Sequence, residues 1–177
     1  MTNNFIYTGI GSRETPHEIK ETFIELGIFF GKRGYTLRSG GADGADTAFE
    51  IGCDIEYGRK EIYLPWQNFN NNESPLYKVS DSALYIAKYY HPNWDSLSDP
   101  VKKIMGRNVH QVLGYDLETP TDFIVCYTKD DKNQGGTGQA LRIAYDRTIP
   151  IIDFKKKGAK ELLNETVREI KRVRSLF

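Results

Sequence analysis

Leu37-Arg38-Ser39-Gly40-Gly41-Ala42-Asp43-Gly44-Ala45-Asp46-Thr47-Ala48 is the stretch whose reading decides the fold. A short strand over residues 35–38 runs into a turn with three glycines in five residues, and a helix is expected to begin at Ala45. Glycine tolerates positive φ and lets a ligand approach the backbone closely. The N–H groups of such a turn, together with the first N–H groups of the helix behind it, make a concave anion site. The same residues also make an ordinary tight strand-to-helix turn with no ligand. Two further glycine turns in the chain weigh towards a phosphate-bearing ligand.

Working outward, residues 5–11 read as a buried first strand ending in glycine, followed by a loop at Ser12-Arg13-Glu14. Thr15-Pro16-His17-Glu18 then predicts a helix start with Thr15 as N-cap and Glu18 closing a capping box. Ile19, Phe23, Leu26 and Phe30 form one apolar stripe, and Gly31 and Gly34 end the helix. A helix over Ala45–Ile55 leads to a third strand at 60–65 and an Asn-rich loop at 66–75 that is expected to fold over a ligand. Asp81–Tyr90 and Asp99–Leu113 read as helices, separated by His91-Pro92-Asn93-Trp94. The fourth strand is expected at 122–128, a polar loop at 129–134, a helix from Gly135 to about Arg147, a fifth strand at 149–154, and a last helix marked by Leu163, Val167 and Ile170. Strands alternating with helices imply an α/β fold, a Rossmann-like three-layer sandwich with a mainly parallel sheet of about five strands. A helical insertion at about 66–120 precedes the fourth strand, and residues 1–177 read as a single domain. Right-handed crossovers put every strand-to-helix loop at one sheet edge. Ligands of such sheets bind there, where the strand order reverses.

The chain has 177 residues, 39% hydrophobic and 27% charged, the balance of a globular protein. Lys plus Arg and Asp plus Glu are 24 each. Zero net charge argues against an extensive nucleic-acid footprint. Cys53 and Cys126 lack metal-type spacing and read as reduced core residues. Met1-Thr2-Asn3-Asn4 carries no basic segment followed by an apolar one, so no signal peptide is expected, and no apolar run approaches membrane-spanning length. A cytoplasmic location is the expectation.

The ordered set Gly9-Ile10-Gly11-Ser12-Arg13, Ser39-Gly40-Gly41-Ala42-Asp43-Gly44-Ala45-Asp46 and Gly135-Gly136-Thr137-Gly138-Gln139-Ala140 resembles the SLOG superfamily. That group joins DNA-processing protein A (DprA/Smf) and the "lonely guy" (LOG) phosphoribohydrolases. The resemblance spans roughly residues 5–154 and is strongest to small stand-alone bacteriophage members. It implies a Rossmann-like domain that binds nucleotides or nucleotide-derived ligands, often as a dimer, and a host-cytoplasm location if phage-encoded. LOG-type enzymes cleave a nucleoside monophosphate at its N-glycosidic bond with a catalytic Glu in a Pro-Gly-Gly-x-Gly-Thr-x-x-Glu turn. Here Gln134 takes the position of the Pro and Arg142 that of the Glu, and a cation cannot stabilise an oxocarbenium-like centre. DprA-type proteins bind single-stranded DNA through a basic groove and carry additional domains, which neutral charge puts in doubt here.

The candidate ligand residues are Gly11, Ser12, Arg13, Ser39, Gly40, Gly41, Asp43, Gly44, Asp46, Trp66, Asn108, Gly135, Gly136, Thr137, Gly138 and Gln139. The glycines would supply backbone N–H groups and Ser39 and Thr137 hydroxyls. Arg13 would pair with phosphate, or else with Glu14 or Glu18 on the surface. Asp43 and Asp46 would accept from ribose hydroxyls or hold a Mg²⁺ that accompanies a phosphate ligand. Asp46 would equally stabilise its helix from the first turn. Asp46 and Glu50, one helical turn apart, are the acid/base candidates. Trp66 would stack on a base or anchor a lid. Arg107 and Asn108 would reach the pocket from the inserted helix, and Gln139 would read a base or ribose edge. No metal site is expected from His17, His91 and His110. Lys155-Lys156-Lys157 and Lys171, Arg172 and Arg174 read as solvated faces. Leu84, Ile86, Ile104, Val109 and Val112 would form a dimer face or pack on the sheet.

Three readings follow. The first is a non-catalytic binder of a nucleotide or nucleotide-derived signal, extending to sequestration of a host defence signal. The others are an N-glycosidase on nucleoside phosphates and a DprA-like single-stranded DNA binder.

Overall fold

Five short runs form the strands β1 (Ile6–Gly11), β2 (Thr36–Ser39), β3 (Arg59–Ile62), β4 (Phe123–Tyr127) and β5 (Ile151–Asp153) of a computed structural model. They pair in the order β3-β2-β1-β4-β5, every pair parallel. The helices are α1 (His17–Lys32), α2 (Ala45–Ile55), α3 (Asp81–Tyr90), α4 (Asp99–Leu113), α5 (Gly135–Asp146) and α6 (Ala159–Arg174), with single 3₁₀ turns at Phe69–Asn71 and Trp94–Ser96. The structure describes residues 5–129 and 135–176, so the expectations resting on Met1-Thr2-Asn3-Asn4 and Gln134, and most of the loop at 129–134, lie outside it. The architecture is a Rossmann-like three-layer α/β sandwich.

Alternation along the central strands divides the core. Tyr7, Phe123, Val125 and Ile152 pack with Phe23 and Phe30 of α1, Phe49 of α2 and Leu163 of α6. Ile10, Ile124 and Cys126 turn to the other face and meet Val109 and Val112 of α4 and Ile143 of α5. Burial on both faces is why these strands read as near-continuous apolar runs. The first layer is aromatic: the rings of Phe23 and Phe49 stack 4.2 Å apart, and Tyr7 lies 4.6 Å from Phe30. The α1 and α2 backbones touch, since a Cβ on Gly52 would fall 2.1 Å from the Ile24 carbonyl oxygen. Cys53 and Cys126 are buried and unpaired. Among the described residues no helix is long and apolar enough to cross a membrane.

Three expectations about local structure change. The capping box does not form: α1 begins at His17 after Pro16, and the Thr15 hydroxyl donates to the Ser12 carbonyl at 2.6 Å. The third strand ends at Ile62, because the Leu64 N–H bonds the Leu76 carbonyl of the following loop instead of β2. Val109 and Val112 are fully buried against the sheet and offer no dimer face, whereas Leu84, Ile86 and Ile104 are half-buried.

Candidate functional site

The strand order reverses between β1 and β4. From β1 the chain moves outward through β2 and β3, and from β4 it moves the other way to β5. Gly11 and Tyr127 are register partners at the carboxyl ends of β1 and β4. A cleft of about 400 Å³ opens there. All three glycine turns reach it: Gly11, Ser12 and Arg13 from the first, Ala42 and Asp46 from the second, and Gly136, Thr137 and Gly138 from the third. The inserted helix α4 closes it with Val101, Ile104, Met105, Arg107, Asn108 and Gln111, and Tyr127, Thr128 and Lys129 complete the rim.

The floor is organised by Asp46. Its carboxylate accepts from the Gly11 N–H at 3.2 Å, the Gly40 N–H at 3.1 Å and the Gln111 amide at 3.5 Å, and also from the Ala42 N–H. The Arg107 guanidinium stands 3.7 Å away. Burial pushes the carboxyl up to about 6, against Arg107 and the Gly11, Ala42 and Gly40 amides, which pull it down. The amides of Gly11 and Gly40, expected to face a phosphate, therefore face a carboxylate of the chain itself. Ser39 is fully buried and its hydroxyl donates to the Gly9 carbonyl at 2.7 Å, tying β2 to β1.

The rest of the central turn is covered by the Asn-rich loop. Asn70, in the left-handed region at φ 53°, donates to the Gly41 carbonyl at 3.1 Å and to the Asp43 carboxylate at 2.9 Å. Gly44, at φ 86°, packs so tightly under the first turn that a Cβ would fall 2.4 Å from the Ser12 carbonyl oxygen. Gly40, Gly41, Asp43 and Gly44 thus support the cleft from behind and do not line it. Trp66 lies outside the lining too, packed edge-on against Phe69 at 5.2 Å, as an anchor of that loop. Glu50 faces another cavity, bonded to Lys60 at 2.8 Å and to Asn72 at 2.9 Å, so the Asp46 and Glu50 pair is not assembled in one site.

The third turn is organised differently. Gly135 opens α5 at φ 72°, and Gly136, Thr137 and Gly138 present its first turn to the cleft. Among the described residues no side chain accepts from their amides. Asn108 donates to the Gly136 carbonyl at 3.1 Å and to Gln139 at 3.3 Å, and Gln139, fully buried, donates to the Ala87 carbonyl at 3.1 Å. Gln139 therefore pins α5 to α3 from beneath instead of reading a ligand. Arg142 points away, its Nε donating to the Tyr90 carbonyl at 2.8 Å.

Three cations face the cleft: Arg13, Arg107 and, on the rim, Lys129. Arg13 is exposed and has no acidic partner among the described residues; Glu14, one candidate for it, pairs with Lys129 at 2.7 Å. Arg107 is 4% exposed and donates to the Gly40 carbonyl, while its buried Nε has no partner among the described residues. Burial draws its pKa below the ordinary arginine value, Asp46 opposing and Arg13 adding to the effect. Gln111, Val101 and Met105 were not expected at the site, and Ile104, expected at a dimer face or on the sheet, lines the cleft instead. The available signal was Arg107 and Gln111 one turn apart in a helix otherwise apolar at Val109, Val112 and Leu113.

Comparison with protein-family models, with curated proteins and with solved structures found no match to this chain.

Proposed function

We propose that the chain is a nucleotide-binding protein of SLOG type, holding a phosphate-bearing nucleotide or nucleotide-derived signal at the β1/β4 switch point. The carrying observation is the set of cationic and N–H donors around one cleft that have no acceptor among the described residues: Arg13, the buried Nε of Arg107, and the first turn of α5. A helix N-terminus with backbone N–H groups aimed outward favours an anion, and the arginines add directed donors. The apolar wall of Val101, Ile104 and Met105 offers a surface for the nucleoside end. The volume lies in the range of small-ligand pockets, which favours one nucleotide over the path of a DNA strand.

Binding without turnover is the reading the donors support. The one carboxylate among the described lining residues, Asp46, is held by backbone amides, Glu50 is elsewhere, and Arg142 stands where the related hydrolases carry their Glu. A binder of this kind suits sequestration of a signalling nucleotide. Calorimetry against a panel of nucleoside mono-, di- and triphosphates and cyclic nucleotides tests it. Binding at micromolar ligand, weakened about tenfold or more in Arg13→Ala, is the expected result, and no heat at millimolar ligand defeats the reading. Release of free base from any of them would move the protein to the N-glycosidase class.

A further inference from the structure

We propose that the cleft takes up its anion together with a proton, and that Asp46 is the group that receives it. This rests on the binding function above and adds its regulation.

The geometry couples four segments through one carboxylate. Gly11 belongs to β1, Gly40 and Ala42 to the turn after β2, Gln111 and Arg107 to α4, and Asp46 itself opens α2. With Asp46 ionised, Arg107 is partly neutralised by a carboxylate 3.7 Å away, and an incoming anion meets a like charge on the cleft floor. With Asp46 protonated, that like charge is gone and both arginines act on the ligand. The anion and the proton therefore favour each other, and by linkage each raises the affinity of the other. The carboxyl is already poised for this, because burial pushes it up to about 6.

Among the described residues, the charged groups around it leave Asp46 as the responding one. Arg107 faces it from α4, Arg13 stands beyond on the loop after β1, and Lys129 lies on the rim after β4. The start of α5 contributes no titratable side chain among its lining residues, and Glu50 of α2 faces the other cavity. His110, on the same helix as Arg107, is turned towards Tyr63 and Tyr115. Among the described residues no histidine lines the cleft.

The probe is sulfate, whose charge does not change in the range concerned. Calorimetric titration of the whole chain should show affinity rising about five- to tenfold between about pH 7.5 and pH 5.5. In Asp46→Asn the profile should be flat. Because that variant also alters the cleft floor, a second readout uses the unaltered chain: the carboxyl-carbon NMR titration of Asp46 should move up by about one pH unit when sulfate is added. Sulfate binding with a flat profile and an unmoved Asp46 titration overturns the proton coupling and leaves the anion site standing. A pH-dependent profile that persists in Asp46→Asn assigns the proton elsewhere and also overturns it. Absence of sulfate binding at every pH removes the anion site and the coupling with it.

Discussion

The glycine turn at Ser39–Gly44 and the glycine turn at Gly135–Gly138 look alike in sequence and end differently. In the first, a carboxylate two residues past the last glycine folds back and takes the amides of Gly40, Ala42 and Gly11. In the second no acidic residue follows within the first turn of α5, and among the described residues the helix start lines the cleft together with Arg13 and Arg107. A nest of backbone N–H groups binds whichever anion reaches it first, and a carboxylate built into the chain has no association entropy to overcome. The first turn is thus an internal anion site already filled, and the second, whose amides meet no side chain among the described residues, is the one we propose for the ligand.

The largest test of that contrast is Asp46→Ala. It removes the acceptor of three amides and leaves Arg107 buried without a counter-charge, a loss of about 3–5 kcal/mol. Thermal unfolding should fall by roughly 10 °C. A shift of a degree or two would mean that the first turn holds itself without the carboxylate. Next in size is the pH dependence of stability. Burial pushes the folded carboxyl of Asp46 up from an ordinary 3.8 to about 6, so the folded state holds the proton more tightly. Its contribution is complete below the unfolded value and is lost as pH rises through the folded one, about 3 kcal/mol in all. Burial lowers the His110 pKa and works with the opposite sign, costing stability as pH falls. Denaturant unfolding of wild type and Asp46→Asn across pH 4 to 7.5 separates the two: the stability of wild type relative to the variant should rise as pH falls through about 6, and a constant difference breaks the assignment.

At the second turn, Arg13→Ala should leave stability within about 0.5 kcal/mol, because the side chain is exposed, while weakening anion binding about tenfold or more. Unchanged affinity would shift the anion off the α5 start. The smallest effect is expected at Trp66→Leu, outside the cleft, where ligand affinity should stay within about twofold of wild type. A large loss would bring the Asn-rich loop into the site and blur the contrast between the two turns.

Much of this was legible in the chain. The spans of α2, α3 and α4 match the periodic apolar pattern residue for residue, because each starts and stops at a strong local signal such as Gly44, Ser80 or Gly114. The convergence of the three turns followed from alternating elements. Local reading failed where a polar side chain had two plausible partners. Ser39, Gln139 and Asp43 carry groups that suit a ligand, and each instead bonds a group brought in from another element. Thr15 has the form of a cap and tightens a turn.

The order of residues by itself determined the layered α/β fold and the edge at which a ligand would be met. Parallel strands joined by right-handed crossovers place every strand-to-helix turn on one side. Which of those turns could receive a ligand was decided only in three dimensions. The contacts that settle it join Gly11 to Asp46, 35 residues apart, and Gly40 to Arg107, 67 apart. Bonds over such separations form only once the sheet has brought the loops together, and local pattern carries no record of which donor each acceptor will find.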